Sequence, residues 1–180
     1  MNKEQCSELC PLKYNSCQTS EGFGDFHKSI LLIAHRGDER VLQPVLFGDT
    51  HEQAIVETDS GKSLLEILKH CNLEIKDIKF TNILKCILPQ KEKIPNAAYT
   101  CCETNLRKQI ESTNPKAIVA FGKPCFEYMF PKNHKRNFLN ETGKIYSYHN
   151  RPTLITHHLS KIYRLQKPYE AERIRQFLAE

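Results

Sequence analysis

The feature that most constrains this chain is a set of four short aliphatic or β-branched runs with helical patterns between them. The runs are "SILLIA" (Ser29–Ala34), "DIKFTN" (Asp77–Asn82), "AIVAFG" (Ala117–Gly122) and "PTLITH" (Pro152–His157). The first and third are apolar almost throughout, as strands covered on both faces must be. Between and after them, "SGKSLLEILKHC" places Leu64, Ile67, Leu68 and Cys71 at i, i+3, i+4, i+7, and "CETNLRKQIES" stacks Cys102, Leu106 and Ile110. "KPCFEYMF" carries Pro124 near its start, where a missing N–H costs nothing. "PYEAERIRQFLAE" turns Ala171, Ile174 and Leu178 one way. Strands alternating with helices predict an α/β fold, a three-layer α/β/α sandwich around a central four-stranded parallel sheet.

In such sheets ligands bind beyond the carboxyl ends of the strands. The residues ending or following the four runs are Ala34-His35, Thr81-Asn82, Phe121-Gly122 and His157-His158. Polar groups distant in sequence are thereby expected to meet at one sheet edge. The stretch "THHLSKIYR" (Thr156–Arg164) adds two adjacent histidines and two cations there. A solvated helix start would explain it too; the convergence with Asn82 favours a site.

A chain of 180 residues suits one domain with a real core, and it has no internal repeat. We therefore expect a single domain over 1–180 with a cysteine-bearing arm over about 1–28. The formal charge is +5, and the segment from Gly122 onward holds 11 Lys and Arg against 5 Asp and Glu. That segment includes "PKNHKRN" (Pro131–Asn137), a basic run compatible with nucleic acid but equally with a solvated loop. "MNKEQCSELC" has no apolar signal-peptide core, and no stretch approaches the ~20 apolar residues of a membrane span. The expected location is cytoplasmic.

Eight cysteines in that compartment argue for metal, cluster or redox chemistry rather than disulfides. Cys6 and Cys10 lie in "CSELCPL", and Cys86 and Cys102 stand sixteen residues apart. Four soft thiolates suit an iron–sulfur cluster or zinc. Cys17 and Cys101 are substitutes for Cys10 and Cys102, whereas Cys71 and Cys125 fall on apolar faces and read as core.

Six motifs in order resemble the uracil-DNA glycosylase superfamily, in its family-4-like, iron–sulfur-containing branch. They are "CPLKYNSC", "GFG" (Gly22–Gly24), "SGKSLLEILKHCNL", "TNILKCILPQKEKIP", "CETNLRKQIESTNPKAIVAFGKPC" and "HHLSKIYR". The resemblance implies a DNA base-excision glycosylase that hydrolyses the N-glycosidic bond of uracil or a related deaminated base, acting as a monomer on single- or double-stranded DNA. His158 falls on the histidine that hydrogen-bonds the base as charge develops. Ser160, Lys161 and Arg164 fall in the loop behind it, where cations suit phosphates. Asn82 falls on the asparagine that reads the pyrimidine edge. Cys86, Cys102, Cys10 and, one residue displaced, Cys6 fall on ligands of a structural 4Fe-4S cluster, with zinc the alternative.

Two departures stand out. Where the family has Gly-Glu-x-Pro-Gly this chain has "AHRGDERV", so His35 takes the glutamate's place, with Asp38, Glu39 and Asp49 as nearby carboxylates. No Pro-Phe-Val-Gly follows, and Phe47 is the candidate for the stacking aromatic. Two other readings remain: a nucleic-acid-binding member of the same fold that cuts slowly or not at all, and an iron–sulfur redox protein on that scaffold.

Overall fold

The computed structural model describes residues 9–12, 18–19, 22–25, 27–37, 55–56, 58–87, 93–133, 135–165 and 167–179. Its strands are β1 (Gln18–Thr19), β2 (Phe23–Gly24), β3 (Ile30–Arg36), β4 (Lys79–Leu84), β5 (Cys86–Ile87), β6 (Ala117–Phe121), β7 (Ile145–Tyr148) and β8 (Arg151–Thr156). The α-helices are α1 (Asp59–His70), α2 (Asn96–Thr113), α3 (Lys123–Met129), α4 (Leu159–Arg164) and α5 (Pro168–Ala179).

The main sheet has the order β2-β4-β3-β6-β8-β7, and β1 pairs separately with β5. The four strands expected from sequence are its parallel centre, β4, β3, β6 and β8. The sheet is nonetheless six-stranded, because an antiparallel strand flanks each edge: β2 on β4 and β7 on β8. Neither edge strand has an apolar run to reveal it. β2 is two residues long, and β7 alternates exposed with half-buried positions. The β7–β8 hairpin turns on His149 and Asn150, both at positive φ (48° and 60°), the conformation two-residue hairpin loops favour.

Alternate strand residues feed two cores. Leu32, Ala34, Phe80, Val119, Phe121 and Leu154 meet Leu64, Ile67 and Leu68 of α1, Leu159 and Ile162 of α4, and Ile174 and Phe177 of α5. Leu31, Ile33, Ile83, Ile118, Ala120 and Ile155 meet Leu106 and Ile110 of α2 and Cys125, Phe126 and Met129 of α3. The result is the expected three layers. Each such aliphatic or aromatic side chain contributes about 1.5–3 kcal/mol through burial.

Local chemistry sets the helix limits. The Thr58 hydroxyl accepts from Gly61 N–H at 2.9 Å and caps α1, with Asp59 in the first turn and Lys69 and His70 in the last. Helix α2 starts at Asn96, six residues before the stretch that carries its apolar stripe. Pro95 serves as its N-cap, and Asn114 ends it in the left-handed region at φ 45°. Helix α5 buries Glu170, Ile174 and Phe177, so its inner face is rotated from the expected Ala171-Ile174-Leu178 line, and those two flanking residues are only partly buried. The cause is polar: the Glu170 carboxylate accepts from Thr156 Oγ1 at 2.6 Å and binds His157 Nδ1 at 2.9 Å.

The strand ends also need correction. β3 runs to Arg36 and β4 to Leu84, so His35 lies inside a strand rather than after it, and Asn82 lies inside β4 rather than at its end. In the register Asn82 pairs with Ala34.

Candidate active site

His158 caps the N-terminus of α4. Its Nδ1 accepts from the Ser160 backbone N–H at 3.3 Å and lies 2.9 Å from the Ser160 hydroxyl. A backbone N–H can only donate, so Nδ1 is unprotonated and the neutral ring carries its proton on Nε2. Burial, and secondarily the Arg164 guanidinium, hold the imidazole below its ordinary titration range. A neutral ring with Nε2–H is a fixed hydrogen-bond donor. The adjacent His157 has the opposite arrangement. It is buried, its Nδ1 faces the Glu170 carboxylate, and Lys167 Nζ lies 3.3 Å from its Nε2. His157 is a structural strut under the His158 turn.

His158 borders a cleft of about 460 Å³ with Lys123, Pro124, Arg136, Asn137, Phe138, Leu139 and Lys161. Three cations thus line the same cleft as the imidazole. Arg136 is held by Glu141 at 3.8 Å, and that buried carboxylate also takes the Tyr146 hydroxyl and Lys144 at 3.2 Å. Phe138 sets the wall, packing against Phe126 and edge-on to His157.

Asn82 is 4 % exposed, and its Oδ1 is buried with no hydrogen-bond partner among the described residues. An orphaned buried acceptor costs about 1–3 kcal/mol and calls for an explanation, a missing ligand being one. Strand alternation puts Asn82 on the α1 side with Phe80 and Ala34. His35 lies on the opposite side, where its Nε2 stands 2.8 Å from the Tyr99 hydroxyl. Burial, then Arg36 and His158, lower the His35 ring to about 4. Neither His35 nor Asn82 is among the residues lining the cleft at His158.

Ser160 is partly buried and bonds His158 Nδ1 through its backbone N–H. Lys161 is exposed on the cleft. Arg164 is exposed and paired with Asp59 at 3.3 Å. Asp38, Glu39, Asp49, Phe47, Cys17 and Cys6 lie outside the described residues.

Cys10, Cys86 and Cys102 share a small buried cluster with Leu12, Leu84 and Ala98. Burial, followed by neighbours that include Cys86 and Cys10, pushes the Cys102 thiol up to about 11. The β1–β5 pairing sets Thr19 opposite Cys86, bringing the N-terminal segment to this end of β4. No group of three or more His, Cys, Asp and Glu among the described residues is arranged to hold a metal ion. Three convergent soft thiols fit the donor chemistry of a cluster or zinc, and the fourth candidate, Cys6, is not described. Cys125 is fully buried core, and Cys71 caps α1 half-buried.

Two contributors, Tyr99 and Lys85, were not read from sequence, and Gly122 was read only as a residue at a strand end. Tyr99 holds His35. Gly122, at φ +90°, lies against His158. Lys85 is fully buried, with Nζ donating to Thr81 Oγ1 (2.7 Å), the Asn82 carbonyl (2.6 Å) and Gln109 Oε1 (2.6 Å), which pins the strand end that carries Asn82. Only "TNILKC" pointed near Lys85, and nothing in the sequence linked Tyr99 to His35.

A parallel-centred α/β/α sandwich carries a fixed imidazole donor beyond one strand and a buried amide on another. The family model of the uracil DNA glycosylase superfamily matches residues 22–179, and the chain belongs to that superfamily. Among its relatives are type-4 uracil-DNA glycosylases. That of Saccharolobus solfataricus is 29 % identical over 92 residues, covering 49 % of this chain and 43 % of the relative. That of Sulfurisphaera tokodaii is 32 % identical over 74 residues (41 % and 34 %), and that of Archaeoglobus fulgidus 31 % over 71 (39 % and 36 %). The chain thus spans less than half the length of these relatives. Among the described residues no helix is long and apolar enough to cross a membrane.

Proposed function

We propose that this chain hydrolyses the N-glycosidic bond of uracil or a related deaminated base in DNA, acting as a monomer. The observation that carries the reading is the unpartnered Asn82 amide oxygen, buried at the same end of the sheet as the His158 donor. An extruded pyrimidine would supply the hydrogen-bond donor that Asn82 lacks.

In this reading the His158 Nε2–H donates to the base oxygen on which negative charge develops as the bond breaks. Because the ring is neutral and held by Ser160, no reorganisation is needed at that moment. Lys123, Arg136 and Lys161 receive phosphates, which offsets the few kcal/mol needed to extrude the base. His35 is a weak base, because burial lowers it to about 4 and Tyr99 engages its Nε2, so Asp38 is the first candidate for orienting water. Cys10, Cys86 and Cys102, with Cys6, would hold a 4Fe-4S cluster, zinc being the alternative. Such a cluster would tie the N-terminal arm to the end of β4, a structural role.

The test is incubation with single- and double-stranded oligonucleotides containing uracil, followed by alkali. Strand breakage at uracil is expected, and His158→Ala should lower the rate by about 100- to 1,000-fold, the effect of removing one preorganised donor. Intact oligonucleotides with wild-type protein, despite salt-sensitive binding, would instead support a member that binds without cutting. One observation favours that second reading: a histidine, not a carboxylate, stands at residue 35.

A further inference from the structure

We propose that Tyr99 is a positioning residue that fixes His35 as a hydrogen-bond donor, with the phenol O–H held on Nε2 and the ring proton on Nδ1. This rests on the glycosylase reading for its use but not for its geometry.

Tyr99 lies in the first turn of α2, and its ring is nearly parallel to His35, 7° between planes with centroids 6.0 Å apart. Tyr128 backs it at 5.9 Å. With Tyr99 Oη and His35 Nε2 only 2.8 Å apart, one proton lies between them. A phenol is the better donor and an imidazole nitrogen the better acceptor, and His35 is the only described partner of the Tyr99 hydroxyl. The shared proton is therefore the phenol's, and the neutral ring keeps its own on Nδ1. Burial favours the uncharged form of both groups: it raises the Tyr99 phenol and lowers His35, whose charged neighbours are Arg36 and His158.

Nδ1–H has no partner among the described residues. Continuing the β3–β6 register, in which Ile33 pairs with Ala120, sets His35 beside Gly122, the residue that touches His158. The two imidazoles then offer two N–H donors at the ends of β3 and β8, the strands that flank β6: Nδ1 of His35 and Nε2 of His158. The ligand group that suits His35 is an oxygen acceptor, on the bound nucleotide or the attacking water. Proton abstraction by this ring is not part of the proposal.

Long-range ¹⁵N–¹H spectra of the free protein read the tautomer without any substrate. The expected result is a protonated Nδ1 on His35 in the wild type, and a mixture of tautomers in Tyr99→Phe, which keeps the ring and loses the hydroxyl. Kinetics on a uracil oligonucleotide supply the second arm. His35→Ala should lower kcat about tenfold with KM little changed, the worth of one hydrogen bond at the upper end. His35→Asn, which restores a donor near Nδ1, should recover most of that loss, and Tyr99→Phe should fall between. A wild-type ring protonated on Nε2, a tautomer unaffected by Tyr99→Phe, or a His35→Asn variant as slow as His35→Ala would overturn the proposal. Wild-type protein that releases no uracil would overturn the glycosylase reading instead, leaving the spectra to decide the role of Tyr99.

Discussion

A methyl group on residue 122 would stand 3.1 Å from the Cβ of His158 and 3.3 Å from its ring carbon Cδ2, so Gly122 and His158 are in contact across the ends of β6 and β8. Gly122 also sits at φ +90° and donates its N–H to the Thr156 carbonyl at 2.9 Å. The two residues therefore constrain each other: the backbone conformation needs glycine, and the imidazole needs the space where a side chain would be.

Gly122→Ala should thus cost both stability and activity. A non-glycine residue in that backbone region is strained by about 1–3 kcal/mol, and the added Cβ displaces His158 by a few tenths of an ångström. We expect a lower Tm and an excision rate reduced at least about tenfold, since small misplacements of a reacting group are expensive. Thermal melts and single-turnover uracil release measure the two effects separately.

Asn82→Ala should divide them the other way. Removing an amide whose buried oxygen has no described partner also removes its desolvation penalty, about 1–3 kcal/mol. The Tm should stay level or rise while uracil release falls about 10- to 100-fold, the loss of a base-reading hydrogen bond. A large drop in Tm would show that the amide is a structural strut.

Acid should destabilise the fold between pH 6.5 and about 4. His35 titrates at about 4 in the folded chain against 6.5 when exposed, and burial also lowers His157 and His158. Between those values the unfolded chain binds more protons than the folded one, so stability rises with pH across the window. It is complete above 6.5 and is lost as pH falls towards 4. Chemical denaturation at a series of pH values tests this, and His35→Gln should flatten the curve.

DNA binding should weaken linearly in log–log plots against salt, with a slope of about −0.9 per phosphate neutralised on duplex DNA. Lys161→Ala should make the slope less steep by about one such unit, and Arg136→Ala by less, because Glu141 already lies 3.8 Å from that guanidinium. Arg164→Ala should change it less, because Asp59 already lies 3.3 Å from that guanidinium. Binding isotherms by fluorescence anisotropy at four salt concentrations are sufficient.

Much of this was legible before any coordinates. Continuous apolar runs such as "AIVAF" admit one main solution, a strand covered on both faces, and the stripe Leu64-Ile67-Leu68 admits one helix face. These are local patterns with fixed periods, so the three layers and the parallel centre followed from them. The candidate residues His158 and Asn82 were legible for a similar reason, since each stands at or near the end of such a run. Residues without a period escaped notice. β2 and β7 are short edge strands without a continuous apolar run, and their packing, Phe23 on Phe80 and Tyr146 on Phe130, is made only in the fold.

The amino-acid order by itself determined which segments become strands and helices, which of their faces turn inward, and which polar groups end up at the strand ends. The tertiary structure alone decided the chemical state of those groups. Tyr99 reaches His35 across 64 positions of chain, Glu170 meets His157 from the last helix, and Gly122 clears the ground for His158. A proton's position on an imidazole depends on atoms within about 3 Å, and packing, not sequence spacing, brings such atoms together.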